Sequence, residues 1–399
     1  MKIKLYRSAT IGIFNENFKL LNDPWLVDGE YYGSWSHYPY FDFDKHEDEI
    51  NSYDAIYISH IHPDHCSPLT LKKINKNIPI YISKYHSKFL KKNIERLGFK
   101  VFELENGKRI KLANNFYLTI YPADNCDPKL CYKFYGCGMP DLNSNESQQI
   151  DSLSVIDDGK TTILNINDCP YQLAKNTIEK RVLKDFEKID LLLTGYGGAG
   201  PYPQCLDNLD LDQKIISGNK KKINFLNQSL DFIKLTKPDY YMPFAGTYVL
   251  SGKLNSLQNL RGVPLIDEVY DYLDLKIDKL EISKKVEGLK LNYDCTYDFD
   301  NKKFSKNYEK INIDNYNEYQ KSYLSKKQLD YENDVFLQEE EIFDKASRAM
   351  VNYLKKKNEL NMNINSDIYF RVNDKYIDIK KNASKIKIIN KNEINLNNN

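Results

Sequence analysis

The chain has 399 residues, and its 57 Lys plus Arg nearly balance 56 Asp plus Glu for a formal net charge of +1, so no global field argues for nucleic acid or a membrane surface as a partner. That length suits one large domain with a smaller one, or two ordinary domains, and the absence of a signal-like N-terminus or a membrane-length apolar run points to a cytosolic protein. The seven Cys are odd in number and scattered, as reduced thiols are in a chain too large to need disulfide staples.

Short strands are predicted over 2–6, 11–13 and 19–21, followed by a turn at Asp23 into a loop holding Trp25, Trp35, His37 and Tyr38. An apolar run at 55–58 reads as a buried strand, and a helix over 69–75, a strand over 78–82 and a helix over 85–97 closed by Gly98 come next. Strands follow at 101–104, 110–112 and 116–121, then at 153–157 and 161–165. A helix over about 172–187 shares Ile178, Val182 and Phe186 on one face. A strand at 189–194, an amphipathic helix through Ile223, Leu226, Leu230 and Ile233, and a strand at 240–242 complete the alternation. These two β-rich halves with helices suggest a sheet sandwich with the helices outside. Beyond about 270 the composition shifts toward Lys, Asn, Asp and Tyr. Residues 1–270 therefore read as the catalytic domain, 271–388 as a small accessory α+β region, and 389–399 as a flexible tail.

The chemistry is concentrated just after the strand at 55–58. His60, His62, Asp64 and His65 form an H-x-H-x-D-H pattern broken by Pro63, which leaves four donors on a loop at a rigid strand end where they can converge on a cation. Imidazole with carboxylate leaves zinc and iron both open. The six His stand at 37, 46, 60, 62, 65 and 86, so no His beyond 86 can add to the site, and carboxylates must. Asp151, opening one strand, and Asp168, ending another, are the best candidates, with Asp124 as a competitor. Asp151 with His60 and His62 would make the two-His-one-carboxylate set of non-haem Fe(II) oxygenases, which leaves positions open for oxygen and substrate. Asp64, His65 and Asp168 could then hold a second metal.

Other features are weaker. Cys126, Cys131 and Cys137 are spaced unlike a zinc ribbon or the common iron–sulfur runs, and there is no C-x-H pair of the kind a Rieske centre uses. The run Gly195-Tyr-Gly197-Gly198-Ala-Gly200 after a strand could present backbone amides to an anionic substrate, or be a tight turn. Lys253 in Ser-Gly-Lys is a plausible partner for phosphate or carboxylate. Trp25, Trp35, Tyr38 and Tyr202 could wall a sugar or nucleotide pocket or simply pack in the core.

The His60-Ile-His62-Pro-Asp64-His65 motif, followed by Leu69-Thr-Leu-Lys-Lys-Ile and by Asp168-Cys169, resembles the metallo-β-lactamase superfamily. Asp151-Ser, residues 164–169, Gly197-Gly198-Ala-Gly-Pro, Pro243-Phe-Ala245-Gly246 and Ser251-Gly-Lys253 resemble the catalytic domain of the CMP-N-acetylneuraminate hydroxylases and related nucleotide-sugar hydroxylases, over roughly residues 1–270. The resemblance implies a metallo-β-lactamase-like αββα sandwich with metals at one edge. It also implies one or two metal ions, iron favoured and zinc possible, and hydroxylation of the N-acyl group of an anionic sugar or nucleotide sugar. Hydrolases of the superfamily commonly place a His near Ala245, and this chain has none there. The hydroxylases carry a Rieske domain, for which this sequence offers no ligands, so an external electron-transfer protein is implied. The alternative is a hydrolase of lactones, esters or phosphodiesters using metal-bound hydroxide, with Asp64 or Asp168 orienting the water.

Overall fold

A computed structural model describes residues 1–123, 151–246, 248–279, 285–335, 337–359, 367–379 and 387–390. Asp124, Cys126, Cys131 and Cys137 lie outside the described residues. Those described fall into two compact units, one up to Asp330 and one from Tyr331 onward.

The first unit opens with β1 (Lys2–Arg7), β2 (Thr10–Phe14), β3 (Lys19–Asn22), β4 (Trp35–Ser36), α1 (Phe43–Asn51), β5 (Ala55–Tyr57), α2 (Pro68–Lys73), β6 (Ile80–Ser83), α3 (Phe89–Arg96), β7 (Val101–Leu104), β8 (Ile110–Ala113) and β9 (Phe116–Pro122). It continues with β10 (Ser152–Asp157), β11 (Thr162–Asn165), α4 (Tyr171–Thr177), β12 (Leu191–Gly195), α5 (Leu211–Thr236), β13 (Tyr240–Phe244), β14 (Val249–Leu250), α6 (Ile266–Ile277), β15 (Glu287–Gly288), β16 (Cys295–Asp298), β17 (Lys303–Phe304) and α7 (Ile313–Ser322). One sheet has the order β17-β16-β1-β2-β3-β5-β6-β7 and the other β15-β13-β12-β11-β10-β9-β8.

The two-residue period of the strands decides the layering. Leu191 and Leu193 of β12 point between the sheets, where they join Ile163, Ile156, Leu118 and, from the first sheet, Ile3, Ile11, Ile13 and Tyr57. Leu192, between them, turns outward with Leu164 and Val155 onto Ile178, Leu230, Ile233 and Val269 of the helices. On the other side Leu21, Ile56 and Ile80 meet Ile50, Leu71, Leu90 and Ile94 of α1–α3. Each sheet thus has one face on its partner and one under helices, which is an αββα sandwich.

Local differences from the sequence reading have local causes. Helix α3 begins at Phe89 rather than 85, because the Tyr85 hydroxyl is drawn into the core to donate to the Ser59 carbonyl. The helix expected over 172–187 widens into a π turn at Ile178–Val182 after α4. Residues 271–330 complete the sandwich: β15 pairs with β13, and β16 pairs with β1 from Lys2↔Asp298 to Leu5↔Cys295. The separable unit therefore starts near 331 and not near 271. It contains α8 (Glu339–Glu359) and the antiparallel β18 (Ile368–Val372), β19 (Lys375–Ile379) and β20 (Lys387–Asn390), packed through Phe343, Leu354, Val372, Ile377 and Ile379. Ile389 is buried in β20, so the strand extends to Asn390, past the expected start of the tail. Among the described residues no helix is long and apolar enough to cross a membrane.

Candidate metal centre

Strand β5 ends at Tyr57, and residues 58–65 leave the sheet carrying His60, His62, Asp64 and His65. Their backbone is held by residues from three other elements. Asp23, just after β3, accepts from the Ser59 amide at 2.7 Å and from Ser59 Oγ at 2.7 Å. Ser152 Oγ at the start of β10 donates to the Ser59 carbonyl at 2.8 Å. Asn167, with φ of 51°, donates its side-chain amide to the Ser152 carbonyl at 2.9 Å. That last bond ties the turn bearing Asp168 to the strand entry bearing Asp151, so residues far apart in sequence are fixed against one loop.

The resulting donors converge. His60 Nε2 lies 2.9 Å from His62 Nδ1, 3.4 Å from Asp151 Oδ1 and 3.8 Å from Asp168 Oδ2. His65 Nε2 lies 3.2 Å from Asp168 Oδ1 and 4.0 Å from Asp64 Oδ2. Among the described residues two three-residue groupings able to hold a cation result, His60 with His62 and Asp151, and His60 with His65 and Asp168. Metal–nitrogen bonds of about 2.1 Å set neighbouring ligands roughly 3.0–3.4 Å apart in octahedral or tetrahedral geometry, so the observed spacings fit a metal. The sequence reading split the donors into two separate triads, whereas the structure makes His60 common to both groupings and leaves Asp64 beside His65.

The far side of each ring fixes its tautomer. Ser59 Oγ gives its proton to Asp23 and can accept from His60 Nδ1, 2.9 Å away. His65 Nδ1 meets Asp23 Oδ2 at 2.8 Å. Both Nε2 atoms thereby face the Asp168 and Asp151 carboxylates, the edge that a metal-ligating imidazole presents to its ion. Burial, with His65 and His62 adding to it, holds His60 well below the ordinary histidine range. Burial acts the same way on His65, but the Asp168 and Asp23 carboxylates override it and raise that ring well above the usual value. Burial also pushes the Asp64 carboxyl up, against the pull of His65. The site is thus a buried negative well that favours a cation among the rings.

Of the remaining candidate residues, some are closely packed and others are exposed. A Cβ on Gly198 would stand 2.2 Å from the Phe225 ring of α5, and one on Gly197 3.0 Å from Val263 and 3.2 Å from the Gly246 carbonyl oxygen, so the loop packs too closely at both positions for a side chain. Lys253 is exposed at the start of a 3-10 helix, Gly252–Leu260. Trp25 and Trp35 are buried, and Trp35 stacks on Tyr248 with centroids 3.6 Å apart. Tyr202 is exposed. Asp23, Ser59 and Asn167 were not singled out from the sequence. Their signal in the sequence is polar residues in otherwise apolar strand ends, and in the structure Asp23 and Asn167 adopt positive φ of 44° and 51°.

No family model matches the chain. A candidate Rieske 2Fe-2S iron–sulfur protein of Mycolicibacterium smegmatis is 26% identical over 285 residues, covering 70% of this chain and 50% of that protein. The cytidine monophosphate-N-acetylneuraminic acid hydroxylase of Macaca mulatta is 27% identical over 244 residues, 58% of this chain and 36% of its own. The chain thus spans half or less of the length of these relatives. Among solved structures, an isothiocyanate hydrolase from Delia radicum gut bacteria covers 72% of this chain and 96% of its own at 15% identity and a TM-score of 0.47. With its two-sheet sandwich, its His-rich loop at a strand end and this sequence similarity, the chain has the metallo-β-lactamase-like fold and resembles the N-acetylneuraminic acid hydroxylases over more than half of its length.

Proposed function

We propose that the protein is a metal-dependent hydroxylase in which His60, His62 and Asp151 hold iron, and His65 and Asp168, with His60 between them, hold a second ion or orient the first. The observation that carries this reading is the convergence of His62 Nδ1 and Asp151 Oδ1 at 2.9 and 3.4 Å from His60 Nε2. Bound iron in such a set supplies activation of dioxygen at open positions. The protein's own part is to keep the Nε2 lone pairs presented through Asp23 and Ser59, and to keep Asp64 and Asp168 within reach of the centre for proton transfer or orientation. Ala245, where a hydrolase of this fold commonly has a His, has no metal-ligating side chain, which favours hydroxylation over hydrolysis. The relatives' names suggest an anionic sugar or nucleotide sugar as substrate, with Gly197, Gly198 and Lys253 as candidate contacts. Electrons would come from a donor outside these 399 residues, and a Rieske-type centre is the natural class.

The test is metal content of protein purified without oxygen, compared with Asp151→Ala. Iron that falls in the variant supports the proposal. Two zinc ions indifferent to Asp151 would overturn it and favour a metal-bound hydroxide acting on esters, lactones or phosphodiesters.

A further inference from the structure

Arg261 stands at the end of the 3-10 helix. This side chain is only 2% exposed. Its Nη1 donates to the Tyr248 carbonyl at 2.7 Å and its guanidinium lies 3.8 Å over the Tyr248 ring. Its Nε is buried with no hydrogen-bond partner, and among the described residues no carboxylate lies within ion-pair distance. A buried cation is ordinarily paired, because desolvation costs several kcal/mol (roughly) that one carbonyl and one ring offset only in part.

The guanidinium borders a recess of about 40 Å³ that also takes in Gln258 and Tyr316. Gln258 Nε2 donates to the Tyr316 hydroxyl at 3.0 Å, so the recess is lined by polar groups already held in place. Through Tyr38, Tyr293 and Ile311 it adjoins a cleft of about 430 Å³ that includes Tyr196, Tyr308, Asn292 and Asn312. Lys306 and Lys310 stand at that cleft with one acid, Glu309, and Lys310 is 3.5 Å from Asp271. Lys221 on α5 donates to the Tyr202 carbonyl at 2.9 Å. The cleft has the size and aromatic lining of a small-molecule site, and the adjoining recess is bordered by a forked donor suited to an oxyanion.

We propose that this cleft binds a small organic molecule whose terminal oxyanion, a carboxylate or a phosphate, pairs with Arg261 in the recess. The site is built from residues outside the His–Asp cluster, and its occupancy is read by direct binding, so it stands or falls separately from the metal reading.

The full chain is titrated calorimetrically with acetate, inorganic phosphate and a nucleoside 5′-monophosphate. Saturable binding of at least one of the three is expected, and the tighter of acetate and phosphate identifies the anion. Arg261→Gln should weaken it about tenfold, and Arg261→Lys by less. Lys306→Glu, an exposed substitution that leaves the core untouched, should weaken it about threefold and serves if Arg261→Gln does not fold. No saturable binding, binding unchanged in the Arg261 or Lys306 variants, or binding lost in His60→Ala while kept in Arg261→Gln would overturn the proposal.

Discussion

Asp23 makes three short contacts at once, to the Ser59 amide, the Ser59 hydroxyl and His65 Nδ1, each at 2.7 to 2.8 Å. It therefore positions two histidines without being placed to ligate. Asp23→Asn should keep the fold but lower metal affinity about 10- to 100-fold, the usual effect of losing a carboxylate behind a ligating imidazole. A metal titration of the variant against wild type checks this, and unchanged affinity would remove Asp23 from the positioning role. A second carboxylate, the partly buried Asp28, accepts from the His37 amide and faces His37 Nδ1, both at 2.8 Å, while Lys327 Nζ donates to it at 2.7 Å. Burial would raise Asp28, but His37 and Lys327 outweigh it and hold the carboxyl well below its ordinary range. Burial likewise lowers His37, with Asp28 opposing it. Both groups bind fewer protons when folded, so stability should fall with pH below about 6.5 as His37 is driven to protonate in the unfolded chain, and further below about 3.9 for Asp28. Asp28→Asn should cost about 3 kcal/mol at pH 7, and the loss should shrink in urea melts below pH 4.

At the level of elements, the contact between α5 and the loop after the 3-10 helix is backbone against backbone. Gly262 has φ of 67°, and a Cβ there would stand 2.2 Å from the Gly218 carbonyl oxygen. Gly262→Ala combines a left-handed backbone with a clash that no side-chain rotation relieves, and should destabilise by about 2–4 kcal/mol. Thermal or urea denaturation measures it, and a loss under 0.5 kcal/mol (approximately the scatter of neutral surface changes) would show that the two segments separate easily. Helix α5 itself was legible from Leu226, Leu230 and Ile233 because its apolar face has a period of 3.6. Its start was not marked by that period but by the capping box in which Asp210 accepts from the Gln213 amide and Gln213 accepts from the Asp210 amide. The π turn at Ile178–Val182 left no comparable signal, since Ile178 and Val182 are apolar whichever helical pitch the backbone takes.

On the scale of the whole molecule, strands contributed by 285–304 close sheet edges. β16 covers β1 and β15 covers β13. A chain ending at residue 270 should expose both edges and aggregate, whereas one ending at 330 should remain monodisperse with a cooperative melt. Size-exclusion chromatography and circular dichroism of the two truncations decide between these boundaries. The shift toward Lys, Asn and Tyr after 270 suggested an earlier boundary because composition reports how much surface a segment shows, and short edge strands are half-exposed whether or not they belong to the main sheets.

The H-x-H-x-D-H loop, the strand periods and the absence of any His beyond 86 follow from the sequence alone, because donor spacing on a strand end and side-chain alternation are local properties. They sufficed to select His60, His62, Asp64, His65, Asp151 and Asp168 as candidate ligands and to expect a sheet sandwich with helices outside, which the family resemblance narrowed to αββα. Tertiary structure alone decided that His60 stands between Asp151 and Asp168, that Asp23 and Asn167 brace the loop, and that Arg261 is buried over Tyr248. Each of those depends on contacts between segments tens to hundreds of residues apart, where the relevant variable is the distance between side chains after the sheets have packed.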